Sequence, residues 1–171
     1  MESSIIGFSR GDASAKTFKA VNPANNASID VNYAMASEED VEEACRLAGE
    51  AALEMAQFGR TKKAEFLNAL ADGIDGIVEE LVPVMKAETG LPEPRVRAET
   101  GRTSGQLRMF AKLVEAGNWV DARIDRAQPD RQPLPKPDLR AMLRPVGPVA
   151  VFCASNFPLA FSVAGGDSAS A

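Results

Sequence analysis

Residues 145–171 contain the stretch that decides the fold class, and they read PVGPVAVFCASNFPLAFSVAGGDSASA. Within them, residues 149–154 form a near-continuous apolar run, which is typical of a parallel strand buried on both faces. Asn156 and Pro158 come directly after this run, and small residues follow, which predicts a turn and then a helix that begins near the proline. The stretch therefore predicts an α/β fold that includes a parallel sheet.

The first part of the chain predicts a β-hairpin followed by a helix. Alternating apolar residues, interrupted by Asn-Pro and Asn-Asn, predict hairpin strands near residues 18–21 and 28–33. Ser37 followed three residues later by Asp40 is typical of a capping box, and it marks the start of an amphipathic helix. Gly59 is expected to end that helix.

Two further helical patterns follow. Residues 61–89 carry apolar side chains at the 3.6-residue spacing of a helix, and Pro83 should kink or split that helix because it lacks a backbone donor. Gly90 stands where a helix C-cap is expected. A third helix is predicted over residues 95–115, and Gly117 should end it.

Residues 122–144 allow two interpretations. Their prolines and charged residues are typical of a linker. Alternatively, residues 122–126 and 139–144 are the strands of an exposed hairpin arm, with the prolines at its tip because proline cannot donate to a central ladder. The alternation of apolar and basic residues in LRAMLRP favours the arm.

Composition limits the classes of function. The chain has 171 residues, a net charge of −5 and no histidine. The acidic balance argues against a nucleic-acid-binding protein, and no apolar run reaches the roughly 18 residues that a membrane span needs. The lack of histidine removes Ser-His and Cys-His pairs and the usual zinc ligand, so we expect no metal site. Two cysteines and no signal peptide favour the cytoplasm.

Asn156 is the first candidate for chemistry. In open α/β sheets, ligands lie beyond the carboxyl ends of the strands, and Asn156 follows the end of the predicted strand. Its side-chain amide can donate a hydrogen bond to an oxygen that becomes negative in a transition state. The alternative is that Asn156 only caps the helix that follows, which is the more common use of asparagine at such a junction.

The same stretch resembles the aldehyde dehydrogenase superfamily, in which a strand, an Asn-Phe-Pro turn and a helix of small residues follow one another. Its segment ASNFPLAFSVAGGD is similar to that of the α-ketoglutaric semialdehyde (2,5-dioxovalerate) dehydrogenase group. Three upstream segments resemble that group too, so that the resemblance covers nearly the whole chain: VNPA in the first hairpin, SEEDVEEAC at the first helix, and ETGLPEPRVRAETGRTSGQLRMFA.

The resemblance implies an NAD(P)-dependent oxidoreductase that converts an aldehyde into a carboxylic acid. The implied reaction is 2,5-dioxopentanoate to 2-oxoglutarate, with NADP (or NAD) as the cofactor. Asn156 would be a catalytic residue whose amide holds the aldehyde oxygen. Phe152, Cys153, Ala154 and Ser155 would line the cofactor cleft, largely through backbone and apolar contacts.

The resemblance also implies a division of the chain. Residues 1–121 would form the N-terminal part of a cofactor-binding domain, residues 122–144 an oligomerisation arm, and residues 145–171 the first part of a Rossmann-like sheet. This favours the hairpin over the linker for the middle segment. We therefore expect a cytoplasmic homo-oligomer that assembles through the arm and acts on a small-molecule aldehyde.

The family's nucleophilic cysteine and general-base glutamate are expected beyond Ala171, so the 171-residue chain alone should be inactive. Cys45, on the apolar side of the first helix, and Cys153, in the predicted strand, are expected to be buried and unreactive. Ala171 falls inside an apparent helix without a cap, which favours a portion of a longer enzyme. The alternative is a truncated, non-catalytic relative that acts only as a binding or assembly partner.

Glu99, Arg102 and Thr103 form a polar group on the third predicted helix. Their simplest interpretation is a solvated helix face, on which Glu99 and Arg102 could pair because they stand at i and i+3. The resemblance to the semialdehyde dehydrogenase group suggests instead a position near the substrate entrance.

Overall fold

The computed structural model describes residues 2–11 and 16–171. The strands are short, and they are β1 (Ile5–Ile6), β2 (Ser9–Arg10), β3 (Thr17–Asn22), β4 (Ala27–Ala34), β5 (Arg123–Asp125) and β6 (Leu139–Ala141). The helices are α1 (Glu38–Met55), α2 (Arg60–Gly76), α3 (Val78–Thr89), α4 (Glu93–Ala116) and α5 (Gly166–Ser170), with a 3₁₀ turn at Asn118–Val120. No helix among these residues is long and apolar enough to cross a membrane.

The strands of the described residues pair as three separate antiparallel hairpins, β1–β2, β3–β4 and β5–β6. The β3–β4 hairpin confirms the prediction made from the first alternating segment. The β5–β6 hairpin pairs Arg123 with Ala141 and Asp125 with Leu139, so the middle segment is a hairpin arm and not a linker. The β1–β2 hairpin was not predicted.

The start of α1 forms as its sequence predicts. The backbone N–H of Asp40 donates to the Ser37 hydroxyl at 3.0 Å, and the Asp40 carboxylate accepts from the Ser37 N–H at 3.1 Å. This reciprocal capping box satisfies two donors that the first turn would otherwise leave without partners. The helix ends at Met55, before Gly59. The prediction that Cys45 is buried is wrong, because α1 buries none of its residues and Cys45 is exposed.

The break in the long helical pattern falls at Gly76–Ile77 rather than at Pro83. Ile77 has φ −106° and ψ 11°, which is not helical, while Pro83 lies inside α3. Glycine is a poor helix former, so the loss of helical structure beside Gly76 costs little, while the apolar side chains Val82 and Met85 around the proline are buried against α4. Gly90 ends α3 in the left-handed conformation at φ +70°, as its position predicts.

The core lies where α4 packs against α2 and α3. One cluster joins Ala71 and Ile74 of α2 to Leu107 of α4. The second joins Val82 and Met85 of α3 to Val96 of α4, and Leu159 packs against it. The segment that carries Asn156 therefore rests on the N-terminal half of α4.

Residues 149–154 do not form the predicted parallel strand in this structure. They lie outside every strand of the described chain, and Phe152 is 90% exposed. A parallel strand takes its hydrogen bonds from neighbouring strands, and the described residues provide none beside this segment. The predicted helix near Pro158 is also absent, since turns cover residues 155–165 and α5 begins at Gly166.

Candidate functional site

The residues around Asn156 form a closed turn, and we call residues 154–161 the Asn156 turn. The Ala154 N–H donates to the Phe161 carbonyl at 2.8 Å, which closes the base of the turn. Inside it, the Phe161 N–H donates to the Phe157 carbonyl at 3.1 Å. These bonds fix both ends of the segment that presents the Asn156 side chain.

Glu99 of α4 connects the Asn156 turn to the core. Its Oε1 accepts hydrogen bonds from two successive backbone amides, the Leu159 N–H at 2.8 Å and the Ala160 N–H at 3.0 Å. The residue is only 3% exposed. Hydrogen bonds to an ionised acceptor are roughly twice as strong as neutral ones. The carboxylate therefore acts as a buried anchor for the C-terminal half of the turn.

The expectation that Glu99 lies on a solvated face and pairs with Arg102 is wrong. Its charged neighbour is Arg95, whose Nε lies 3.7 Å from Glu99 Oε2. That distance allows an ion pair but is too long for a hydrogen bond. Oε2 is buried and has no hydrogen-bond partner within residues 2–11 and 16–171.

Two arginines of α4 cover the aromatic rings of the Asn156 turn. Phe157 and Phe161 meet edge to face with ring centroids 5.2 Å apart. The Arg95 guanidinium carbon lies 4.6 Å from the Phe157 centroid, and that of Arg102 lies 4.9 Å from the Phe161 centroid. Each such cation–π contact contributes about 0.5–1 kcal/mol at an exposed site. Arg102 thus contacts the turn, although not in the pairing that the sequence suggested.

Two glycines close the far side of the turn. The Gly166 N–H donates to the Ala160 carbonyl at 2.7 Å. A Cβ atom at Gly165 would lie 2.4 Å from the Ala160 carbonyl oxygen, and one at Gly166 would lie 2.6 Å from the Gln106 side chain. Because both positions lack a side chain, the chain can pass this close to the turn backbone at Gly165 and to Gln106 of α4 at Gly166.

The two threonines beside Glu99 serve the helix. Thr100 and Thr103 are buried, and their hydroxyls donate to the carbonyls of Val96 and Glu99 at 3.0 and 2.9 Å. Both residues bond one turn back along α4, which is the usual way for a helical threonine to satisfy a buried hydroxyl. We therefore assign Thr103 no part in chemistry.

Asn156 itself projects from the turn. It is exposed, and its side-chain amide makes no hydrogen bond to the part of the chain that the structure describes. No helix begins at Pro158, and α5 has Gly165 as its N-cap, so Asn156 does not cap a helix. The capping alternative therefore has no support in the geometry, and the amide is free to donate to a ligand.

Residues 152–155 precede the turn and include Cys153, which is exposed and not buried as predicted. The backbone N–H groups of residues 149–153 make no backbone hydrogen bonds to the described residues. Phe152 is 90% exposed and lies beside these open backbone groups. The four residues 152–155 include no basic side chain, so the phosphates of a dinucleotide would need other residues.

A concave feature of the structure lies away from this site. A cleft of about 810 Å³ separates residues 5–11 from α1, and no residue of the Asn156 turn lines it. Among the described residues, no group of three or more Cys, Asp or Glu side chains could hold a metal ion. The Asn156 turn is the candidate site because it presents an exposed side-chain amide that makes no hydrogen bond to the described residues.

The model of the aldehyde dehydrogenase family matches residues 10–167 of the chain. Over 168 residues the chain is 48% identical to α-ketoglutaric semialdehyde dehydrogenase 2 of Azospirillum brasilense. The matched region covers 98% of this chain and 32% of that protein. It is 43% identical over 167 residues to α-ketoglutaric semialdehyde dehydrogenase of Acinetobacter baylyi, and that match covers 98% of this chain and 32% of the relative. The chain thus spans about a third of the length of the curated relatives it matches.

Solved structures match the fold. PnpE in complex with nicotinamide adenine dinucleotide superimposes with a TM-score of 0.65 at 23% identity, over 74% of this chain and 26% of that one. Aldehyde dehydrogenase 21 of Physcomitrella patens, in complex with succinate, superimposes with a TM-score of 0.64 at 20% identity. The match covers 73% of this chain and 25% of that one. These matches confirm the predicted α/β fold class and its aldehyde dehydrogenase type.

Proposed function

Because the chain belongs to the aldehyde dehydrogenase family, we propose that it forms the N-terminal part of an NAD(P)-dependent enzyme that oxidises an aldehyde to a carboxylic acid. Support comes from the family match and from the share of the relatives' length that the chain spans. The observation that carries the proposal is the free Asn156 amide, presented by a turn that is anchored at both ends.

The proposed substrate is 2,5-dioxopentanoate, which would give 2-oxoglutarate. The two relatives that are 48% and 43% identical are both named α-ketoglutaric semialdehyde dehydrogenases, and this supports the assignment. A third relative, 2-hydroxymuconic semialdehyde dehydrogenase of a Pseudomonas species, is 30% identical and also bears the name of a semialdehyde enzyme. A 2-oxo semialdehyde is therefore the class of substrate to test first.

In this proposal Asn156 donates a hydrogen bond from its side-chain amide to the aldehyde oxygen. That oxygen gains negative charge when a nucleophile adds to the carbonyl, so a donor fixed beforehand lowers the barrier. Residues 152–155 would contact NADP or NAD, which accepts a hydride when bound. Phe152 would supply apolar contact, and the backbone of Cys153 would supply open donor and acceptor groups.

Residues 122–144 are proposed as the arm through which the enzyme forms a homo-oligomer. The β5–β6 hairpin carries exposed apolar side chains, among them Ile124 at 61% and Leu139 at 54% exposure. An exposed sheet edge with apolar residues is suited to pairing with another chain. A cytoplasmic location belongs to the same proposal, and the two unpaired, exposed cysteines favour a reducing compartment.

The second candidate function is an assembly partner without chemistry of its own. It is favoured by the exposed apolar side chains before the turn, Val146, Val149 and Phe152, which need a covering surface. Either more of the same polypeptide or a separate protein could cover them. The intact mass of the protein purified from its natural source distinguishes these two cases.

The decisive experiment is the Asn156→Ala variant of the natural protein, assayed with 2,5-dioxopentanoate and with NADP or NAD by absorbance of the reduced cofactor. Loss of one oxyanion donor should lower kcat by about 10²–10³-fold. Binding of the cofactor, measured by fluorescence titration, should change little. Full turnover by Asn156→Ala would contradict the role of Asn156. A wild-type protein that binds no dinucleotide and turns over no aldehyde would favour the assembly partner.

A further inference from the structure

We propose that Glu99 is a positioning residue, which sets the place of the Asn156 amide through the backbone of the Asn156 turn. This inference rests on the proposed role of Asn156. Glu99 lies 57 residues before Asn156 in the chain and makes no hydrogen bond to its side chain, so it would act through Leu159 and Ala160.

The geometry of the two hydrogen bonds carries the argument. A single oxygen, Glu99 Oε1, accepts from two consecutive N–H groups at 2.8 and 3.0 Å. Two donors that share one acceptor fix both the distance and the rotation of that stretch of backbone relative to α4. The other end of the turn is closed by the Ala154 N–H on the Phe161 carbonyl. Asn156 lies between these two fixed points.

Burial adds to the argument. The Glu99 side chain is 1% exposed, and Arg95, its charged neighbour, is 3.7 Å away and partly solvated. Taking a carboxylate out of water costs several kcal/mol, and hydrogen bonds from neighbouring donors must offset that cost. Val96, three residues before Glu99 on α4, and Leu159 belong to one apolar cluster, so a leucine at position 99 keeps an apolar side chain beside that cluster. What a leucine cannot provide is the acceptor that orients the turn.

A double-mutant cycle in the natural, full-length protein tests the inference. Glu99→Leu should lower kcat by about 10–100-fold, because a displacement of about 1 Å at a catalytic group costs that much. Its KM for the cofactor should stay the same. In the Asn156→Ala background the same substitution should cost nothing further, because a misplaced amide and a missing amide are equivalent.

Amide hydrogen exchange provides a readout that does not depend on turnover. In Glu99→Leu the Leu159 and Ala160 amides should exchange at least about tenfold faster, since each loses a charged acceptor. Glu99→Gln keeps a side-chain oxygen at the same length and should restore slow exchange and most of kcat. Glu115→Leu makes the same chemical change at an exposed position of α4, and it should alter neither kcat nor the exchange rates of the Leu159 and Ala160 amides.

The outcomes separate the two proposals. If Asn156→Ala lowers kcat and Glu99→Leu lowers it by the same factor in both backgrounds, Glu99 serves general stability and the positioning role is overturned. If Asn156→Ala leaves kcat unchanged, the role of Asn156 fails and the positioning role falls with it. Unchanged exchange at Leu159 and Ala160 in Glu99→Leu would overturn the positioning role on its own.

Discussion

Alanine at Gly165 should displace the Asn156 turn from α4. A Cβ there would lie 2.4 Å from the Ala160 carbonyl oxygen, 2.6 Å from its carbon and 2.7 Å from the Leu159 carbonyl oxygen, whereas real Cβ atoms essentially never come within 3.0 Å. All three are backbone atoms, so the backbone must shift by about half an ångström or more. The residues that would move are the two whose amides donate to Glu99.

The expected cost of Gly165→Ala follows from this contact. Overpacking of a close backbone contact costs about 1–3 kcal/mol. The φ of Gly165 is −86°, which any residue adopts, so the penalty is steric and not conformational. Urea unfolding should show a lower midpoint with an unchanged slope, and the Leu159 and Ala160 amides should exchange faster.

Gly105→Ala is the matched control for this prediction. Gly105 lies within α4, and a Cβ there would meet nothing within 4 Å. Alanine in an exposed helical position should raise the free energy of unfolding by about 0.5–1 kcal/mol. Gly165→Ala should thus lower the free energy of unfolding, and Gly105→Ala should raise it. A Gly165→Ala protein as stable as wild type, with slow exchange at both amides, would refute the steric reasoning.

Two further predictions concern the hairpins. The hydrogen bond that Tyr33 donates to Glu88 at 2.5 Å raises the pKa of Tyr33 from 10.0 to about 12. The stability that this hydrogen bond contributes is fully present below pH 10 and is lost as the pH rises through 12. The difference in free energy of unfolding between wild type and Tyr33→Phe, measured by urea denaturation, should therefore shrink over that pH range. A difference that stays constant would contradict the raised pKa of Tyr33. In the arm, Ile124→Lys should lower the oligomeric state seen by sedimentation velocity, whereas Arg126→Gln should not; an unchanged oligomer in Ile124→Lys would count against the arm.

Features set by a few adjacent residues could be predicted from the sequence. Ser37 and Asp40 form their capping box because each partner lies within one helical turn of the other. Gly90 and Gly117 end their helices at φ +70° and +74°, a conformation that costs glycine little and other residues more. The arm also formed where alternation and proline placement indicated, because both signals act within the hairpin itself.

Features that depend on distant partners were predicted less well. The apolar run at residues 149–154 has the composition of a buried parallel strand, but a strand exists only when neighbouring strands complete its ladder. Cys45 has the spacing of a core residue, yet α1 buries no residue in this structure. In both cases the pattern reports that a face is apolar, and it cannot report what covers that face.

Glu99 is the opposite case, because its charge favours an exposed position and the structure buries it. The spacing of the sequence indicates where Glu99 lies on α4. One stripe of the helix, at i, i+3, i+7 and i+11, carries Val96, Glu99, Thr103 and Leu107, and all four are buried. A carboxylate within an otherwise buried stripe requires hydrogen-bond donors, and the backbone N–H groups within α4 are already bonded along the helix. The donors must then come from a segment packed across that stripe. The position of Glu99 on this stripe therefore predicts that it holds a segment packed across α4, and the structure identifies that segment as the Asn156 turn.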